Sequence, residues 1–152
     1  AMLLAFIALI AMVNGILEAG GTWLGIEQLT LEGMIGGLLQ PLAWTLGIPW
    51  EEARLAGSLI GQKFILNEFV AYVAFSEVAN DLSPHSQAIV IFALCGFANI
   101  SSLAILLGGL GAVAPQRRDD ISRYGFRALI AASLANLMSA ALAGLFLNFG
   151  GV

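Results

Sequence analysis

No Asp, Glu, Lys or Arg occurs between Pro84 and Pro115. A single helix over this stretch would be about 45 Å long, which exceeds the ~30 Å hydrocarbon core of a bilayer. Polar residues interrupt its middle, where residues 96–102 read GFANISS. Irregular backbone is tolerated at membrane depth only where it lines a cavity or is buried in protein. The stretch therefore predicts a broken membrane helix over residues 84–115.

The composition of the chain excludes a soluble domain. Hydrophobic residues make up 59% of the sequence and charged residues 11%, whereas a soluble protein has about 25% charged residues. Residues 1–17 and 128–152 also carry no charge. The first of these segments has no basic stretch before it, so we interpret it as a membrane segment whose upstream chain is missing, not as a signal peptide.

The charges and the single cysteine exclude two further classes of site. Four arginines lie within residues 117–127, but this short segment also contains two aspartates, so the arginines do not form a nucleic-acid-binding patch. By the positive-inside rule they place this loop in the cytoplasm. Cys95 is the only cysteine, which excludes an intramolecular disulfide and a cysteine metal cluster.

Charged side chains lie in the middle of the apolar stretch that follows Pro49. A charge at mid-membrane costs about 2.5–3.5 kcal/mol on insertion scales. Lys63 and Glu68 are five residues apart, so on a continuous helix they would lie about 140° apart and could not face each other. We therefore predict a helical hairpin that dips partway into the membrane and turns near Asn67.

The remaining segments predict helix starts and helix contacts. Ser83 followed by Pro84 is typical of a capped helix start. Asn14 and Asn136 are expected to hydrogen-bond to neighbouring helices, and His85 is expected at the surface. Small or short side chains recur every four residues in the last segment and predict close approach of another helix; these positions are Ala128, Ala132, Asn136, Ala140 and Gly144.

Three strings of residues resemble the concentrative nucleoside transporter family. Residues 61–72 (GQKFILNEFVAY) resemble its second re-entrant hairpin, and residues 95–102 (CGFANISS) resemble the unwound part of the following helix. Residues 108–115 (GGLGAVAP), followed by Arg117 and Arg118, complete the pattern. The resemblance covers the whole chain, although the first 45 residues match only in general character.

The resemblance implies an all-α integral membrane fold, the second inverted-repeat half of such a transporter, with a re-entrant hairpin and a discontinuous helix. It assigns residues 1–24 to a transmembrane scaffold helix and residues 25–48 to an interfacial helix. Residues 49–152 then form half of the transport domain, with the hairpin at 50–78, the broken helix at 84–115 and the final helix at 122–149.

The resemblance also implies a substrate site. Glu68 at the hairpin tip, with Asn99 and Ser102 at the unwound helix, would bind the ribose hydroxyls, and Phe97 would lie beside the base. A carboxylate, an amide and a hydroxyl suit ribose because its hydroxyls both donate and accept. A hydrogen bond to a charged group contributes about 1.5–3 kcal/mol. No catalytic or metal-binding residue is predicted in this chain.

Structural alternatives exist for each of these residues. Glu68 could be an interfacial acid or a partner of Lys63, and Asn99 and Ser102 could merely cap a kink. Phe97 could be a packing or lipid-facing residue. Lys63 itself is expected to snorkel or to pair structurally, and not to contact substrate.

The predicted function is cation-coupled nucleoside transport across the plasma membrane, here a multi-pass bacterial inner membrane. The implied partners are a uridine-like nucleoside, the lipid bilayer, the missing N-terminal half and two further copies in a homotrimer. No organic cofactor is expected; the coupling cation is Na⁺ or H⁺, with its ligands mostly in the missing half. The alternative is a non-transporting subunit or inactive fragment that acts as an assembly partner. An enzyme is disfavoured because no nucleophile, His–acid pair or metal cluster accompanies Glu68.

Overall fold

A computed structural model describes residues 2–25 and 29–150, and the regular structure in this part of the chain is helical. Residues 26–28, which belong to the predicted interfacial segment, lie outside the described part. The helices are α1 (Met2–Leu24), α2 (Leu31–Thr45), α3 (Trp50–Ile65), α4 (Glu68–Val78), α5 (Pro84–Leu94), α6 (Ile100–Val113) and α7 (Arg118–Gly150), with short 3₁₀ turns at Ala79–Asp81 and Pro115–Arg117.

Both predicted interruptions are confirmed as breaks in helical structure. The first separates α3 from α4 at residues 66–67, and the second separates α5 from α6 at residues 95–99. At 1.5 Å per residue, α3 and α4 are about 24 and 17 Å long. Neither helix reaches across a ~30 Å hydrocarbon core on its own. The same holds for α5 and α6, which are short apolar helices.

The helix α7 begins earlier than predicted. We expected a loop over residues 117–127 and a helix from 122 to 149, whereas α7 starts at Arg118. Asp119 and Asp120 lie in its first turn, where the positive helix end favours acids. Arg117 donates from Nε to Asp120 Oδ2 at 2.9 Å. Among the described residues, the helical stretch Pro115–Phe149 is long and apolar enough to cross a membrane.

The C-terminal part of the small-residue stripe of α7 packs against other helices, as predicted, whereas Ala128 and Ala132 are exposed. Ala140 is fully buried, and a Cβ at Gly144 would lie 2.6 Å from the Ile89 side chain of α5. A Cβ at Gly125 would lie 2.7 Å from the Leu103 side chain of α6. The expectation that His85 lies at the surface is wrong, because it is half-buried near Gly144. Thus α7 supports both halves of the broken helix.

The helix α2 packs against α3 through glycines. A Cβ at Gly36 would lie 2.7 Å from the Arg54 carbonyl oxygen, and one at Gly57 would lie 2.9 Å from the Leu39 carbonyl carbon. The two backbones therefore approach as closely as glycine allows. The polar contact of α2 with α1 is made by Asn14, as expected: its amide donates to Glu32 and its oxygen accepts from the Leu31 N–H, both at 2.8 Å.

Candidate functional site

Two helices begin with an asparagine cap, one after each interruption. Asn67 precedes α4, and its Oδ1 accepts from the backbone N–H of Val70 at 2.9 Å. Asn99 precedes α6, and its Oδ1 accepts from the backbone N–H of Ser102 at 2.7 Å. Each cap satisfies an N–H group that has no partner inside its own helix. The capping role considered for Asn99 is thus confirmed.

The two capped helix ends are joined by one hydrogen bond. Asn99 Nδ2 donates to Glu68 Oε2 at 3.1 Å, across 31 residues of sequence. Glu68 occupies the first turn of α4, and Asn99 is only 2% exposed. A helix N-terminus carries partial positive charge. The carboxylate therefore lies where the positive ends of α4 and α6 both favour a negative group.

A cavity of about 380 Å³ opens beside this junction. Phe97, Asn99 and Ser102 line it on the side of the helix break, and α7 forms the opposite wall. Its volume falls in the range of about 300–1,000 Å³ that is common for small-molecule sites. Phe97 is 74% exposed. Three of the four predicted residues thus share one cavity, and Glu68 connects to it through Asn99.

The part of α7 that forms the cavity was not predicted from the sequence. Gly125, Ala128, Leu129 and Ala132 line it. The repeat of small residues signalled close helix packing, and its members Ala128 and Ala132 also face open space here. Because alanine and glycine project little beyond the backbone, these positions leave room beside the helix break.

The broken end of α5 is held by α7. The side-chain amide of Asn136 donates to the carbonyl oxygens of Phe92 at 3.0 Å and Ala93 at 2.8 Å. These carbonyls lie in the last turn of α5, where intrahelical N–H partners run out and Phe92 also accepts from the backbone N–H of Cys95 at 3.3 Å. Gly96 follows, and a Cβ there would overlap the Asn136 side chain. The prediction that Asn136 hydrogen-bonds to a neighbouring helix is confirmed, and its partner is the break itself.

Lys63 differs from both expectations for it. Its side chain neither snorkels nor forms an ion pair with Glu68 in the structure: the residue is 0% exposed, and its Nζ has no hydrogen-bond partner within the described residues. The Nζ lies 4.8 Å from the centre of the Phe64 ring.

In residues 2–25 and 29–150, no group of three or more His, Cys, Asp or Glu side chains is placed to hold a metal ion.

The sequence matches the family model described as the Na⁺-dependent nucleoside transporter C-terminus over residues 1–144. An uncharacterized transporter of Bacillus subtilis (strain 168), YutK, is 54% identical over 147 residues, which are 97% of this chain and 36% of that protein. The nucleoside permease NupC of Helicobacter pylori is 49% identical over 97% of this chain and 37% of the permease. The sodium/nucleoside cotransporter 1 of Rattus norvegicus is 37% identical over 94% of this chain and 24% of the cotransporter.

Solved structures of CNTnw share the fold. The structure of its inward-facing, substrate-bound state has a TM-score of 0.93 and 55% identity over 99% of this chain and 37% of that one. A substituted form in an outward-facing state also has a TM-score of 0.93, with 53% identity over the same shares. This chain thus spans little more than a third of the bacterial relatives it matches. It belongs to the concentrative nucleoside transporter family, and it corresponds to the C-terminal part of such a transporter.

Proposed function

We propose that this chain supplies the ribose-binding half of a cation-coupled nucleoside transporter. The observation that carries the proposal is the hydrogen bond between Glu68 and Asn99, which joins the starts of α4 and α6 beside a cavity. A carboxylate accepts hydrogen bonds and an amide both donates and accepts. Two vicinal hydroxyls, such as those of ribose, can bind to such a pair with directional bonds.

The transport mechanism is alternating access. In this proposal α3 and α4 are the arms of a re-entrant hairpin, and α5 and α6 form a discontinuous helix, so the site lies near the membrane midplane. The chain matches inward-facing and outward-facing structures with the same TM-score of 0.93. That equal similarity supports movement of this half with little internal change.

The complete transporter is proposed to contain, before this chain, the part that precedes the matched region in its longer relatives. That part would contact the base edge and supply most ligands of the coupling cation. Na⁺ is supported as that cation by the names of the family and of the rat cotransporter. Assembly as a homotrimer and residence in the bacterial inner membrane belong to the same proposal.

The test is uridine binding to the complete transporter in detergent, with Na⁺ present or replaced by choline. Glu68→Gln removes the charge and keeps the shape of the side chain, so we expect uridine affinity to fall about 10- to 140-fold, from the loss of about 1.5–3 kcal/mol for a charged hydrogen bond. Glu77→Gln is the matched control, because it makes the same change at the exposed far end of α4. Wild-type affinity in Glu68→Gln contradicts the site, and no uridine binding by the wild-type transporter favours the non-transporting subunit.

A further inference from the structure

Lys63 is a buried basic residue without a polar partner in the described part of the chain. The residue is 0% exposed, and its Nζ has no hydrogen-bond partner within the described residues. An ammonium group carries three donors, and burying it without a partner is strongly unfavourable. The Phe64 ring, 4.8 Å from Nζ, compensates for only part of that cost. A counter-charge close to the end of α3 would offset the rest.

Glu68 is the acid nearest to Lys63 along the chain. Between Arg54 and Glu77 the sequence contains only two charged residues, Lys63 and Glu68. The break at residues 66–67 changes the direction of the chain, so the ~140° separation on a continuous helix does not apply. Lys63 lies in the last turn of α3, directly before this break, and Glu68 lies in the first turn of α4, directly after it. Asn99 occupies Oε2 of Glu68, whereas a carboxylate accepts about four hydrogen bonds.

We infer that Lys63 is a positioning residue, the internal counter-charge that holds the Glu68 carboxylate at the junction of α4 and α6, directly or through one water. This inference rests on the proposed function for its link to nucleoside binding. The counter-charge itself rests on two observations: Lys63 is buried without a hydrogen-bond partner among the described residues, and it faces Glu68 across the break between α3 and α4 in chain order. A different role follows from the place of Lys63 in the last turn of α3, where a cation favours the negative helix end whatever residue 68 is.

A double-mutant cycle separates these two roles. Thermal unfolding of the complete transporter, without nucleoside, is measured for the wild type, Lys63→Met, Glu68→Gln and the double variant. Glu68→Gln leaves the buried Lys63 without its counter-charge, and Lys63→Met leaves the half-buried Glu68 without its own, so each lowers the midpoint by several degrees. The double change removes both charges and recovers most of the loss. A double variant whose loss equals the sum of the single losses overturns the ion pair.

Two controls keep the cycle interpretable. Arg54→Met removes an exposed cation from the same helix, and its effect should add to that of Glu68→Gln. If Lys63→Met alone does not fold, recovery of folded protein on adding Glu68→Gln supports the pair, and failure of that recovery contradicts it. Lys63→Arg keeps the charge and should retain a midpoint well above that of Lys63→Met.

Nucleoside affinities test the positioning role. Uridine and 2′,3′-dideoxyuridine differ in the ribose hydroxyls that Glu68 is proposed to bind. Lys63→Met should lower uridine affinity about tenfold and leave that of the dideoxy analogue nearly unchanged, and Lys63→Arg should restore the difference. Equal losses for both nucleosides overturn the positioning role. A non-additive cycle together with wild-type uridine affinity in Glu68→Gln would leave the ion pair standing and refute the proposed ribose site instead.

Discussion

The two helix interruptions resemble each other at one end and differ at the other. After each break an asparagine cap starts the next helix, with Oδ1 accepting from the N–H three residues on. Before the first break, α3 ends locally, with the N–H of Leu66 donating to the carbonyl oxygen of Gln62 at 2.8 Å. Before the second break, the local bond is longer, from the N–H of Cys95 to the carbonyl oxygen of Phe92 at 3.3 Å, and the side chain of Asn136 from another helix binds the same end of α5.

This difference separates a local turn from a junction that the tertiary structure holds open. The first break spans two residues, and Asn67 bonds within its own turn. The second spans five residues and is tied on one side to α7 through Asn136 and on the other to α4 through Asn99. Loss of either tie should therefore affect the second break more than loss of the local cap affects the first.

The largest effect is expected at Asn99. Asn99→Ala removes both the α6 cap and the donor to Glu68, which contributes about 1.5–3 kcal/mol, or about 10- to 140-fold in uridine affinity if the junction binds ribose. Asn99→Asp separates the two roles, because it keeps a capping oxygen but replaces the donor with a second negative charge. We expect Asn99→Asp to fold and to bind uridine as poorly as Asn99→Ala; wild-type affinity in Asn99→Asp would contradict this assignment.

An intermediate effect is expected at Asn136. Asn136→Ala leaves the carbonyls of Phe92 and Ala93 without their side-chain donor, at a cost of about 1–3 kcal/mol in the free energy of unfolding. The measurement is the thermal unfolding midpoint of the complete transporter. Asn148→Ala, an exposed change on the same helix, should leave that midpoint unchanged. Equal midpoints for the two variants would mean that α7 does not hold the break.

The smallest effect is expected at Asn67. Asn67→Ala removes one helix cap, which costs about 0.5–2 kcal/mol of stability, and leaves the bond between Glu68 and Asn99 in place. Asn67→Ser retains a capping oxygen and should recover most of the loss. Uridine affinity should change less in Asn67→Ala than in Asn99→Ala. An equal or greater loss at Asn67 would remove the distinction between the two breaks.

The features that the sequence predicted depend on neighbouring residues. The spacing of Lys63 and Glu68 indicated a turn near Asn67, and the structure breaks the helix at residues 66–67. Ser83 and Pro84 predicted the start of α5, where the Ser83 hydroxyl caps the Ser86 N–H at 3.3 Å. Each of these signals lies within a few residues of the feature it predicts.

The features that escaped prediction join distant parts of the chain. Glu52, in the first turn of α3, accepts hydrogen bonds from the backbone N–H and the hydroxyl of Ser83, 31 residues away. The full burial of Lys63 and the identity of the helix that Asn136 contacts likewise depend on how helices pack. Residue spacing does not encode such pairings, and the α7 wall of the cavity was missed for the same reason.

The glycine contacts between α2 and α3 lead to the same conclusion. The family resemblance indicated only an interfacial helix over residues 25–48 and gave no packing partner for it. In the structure Gly36 instead lets α2 meet the backbone of α3 near Arg54. A glycine that weakens a helix and a glycine that admits a neighbouring helix look alike in a single sequence.

The central claim is that ribose binds where α4 and α6 begin. An experimental structure of the complete transporter with uridine tests it most directly. We expect ribose hydroxyl oxygens within about 2.5–3.2 Å of the Glu68 carboxylate and the Asn99 amide. Uridine bound away from both residues, with the Glu68–Asn99 hydrogen bond unchanged and Glu68 facing bulk water, would contradict it.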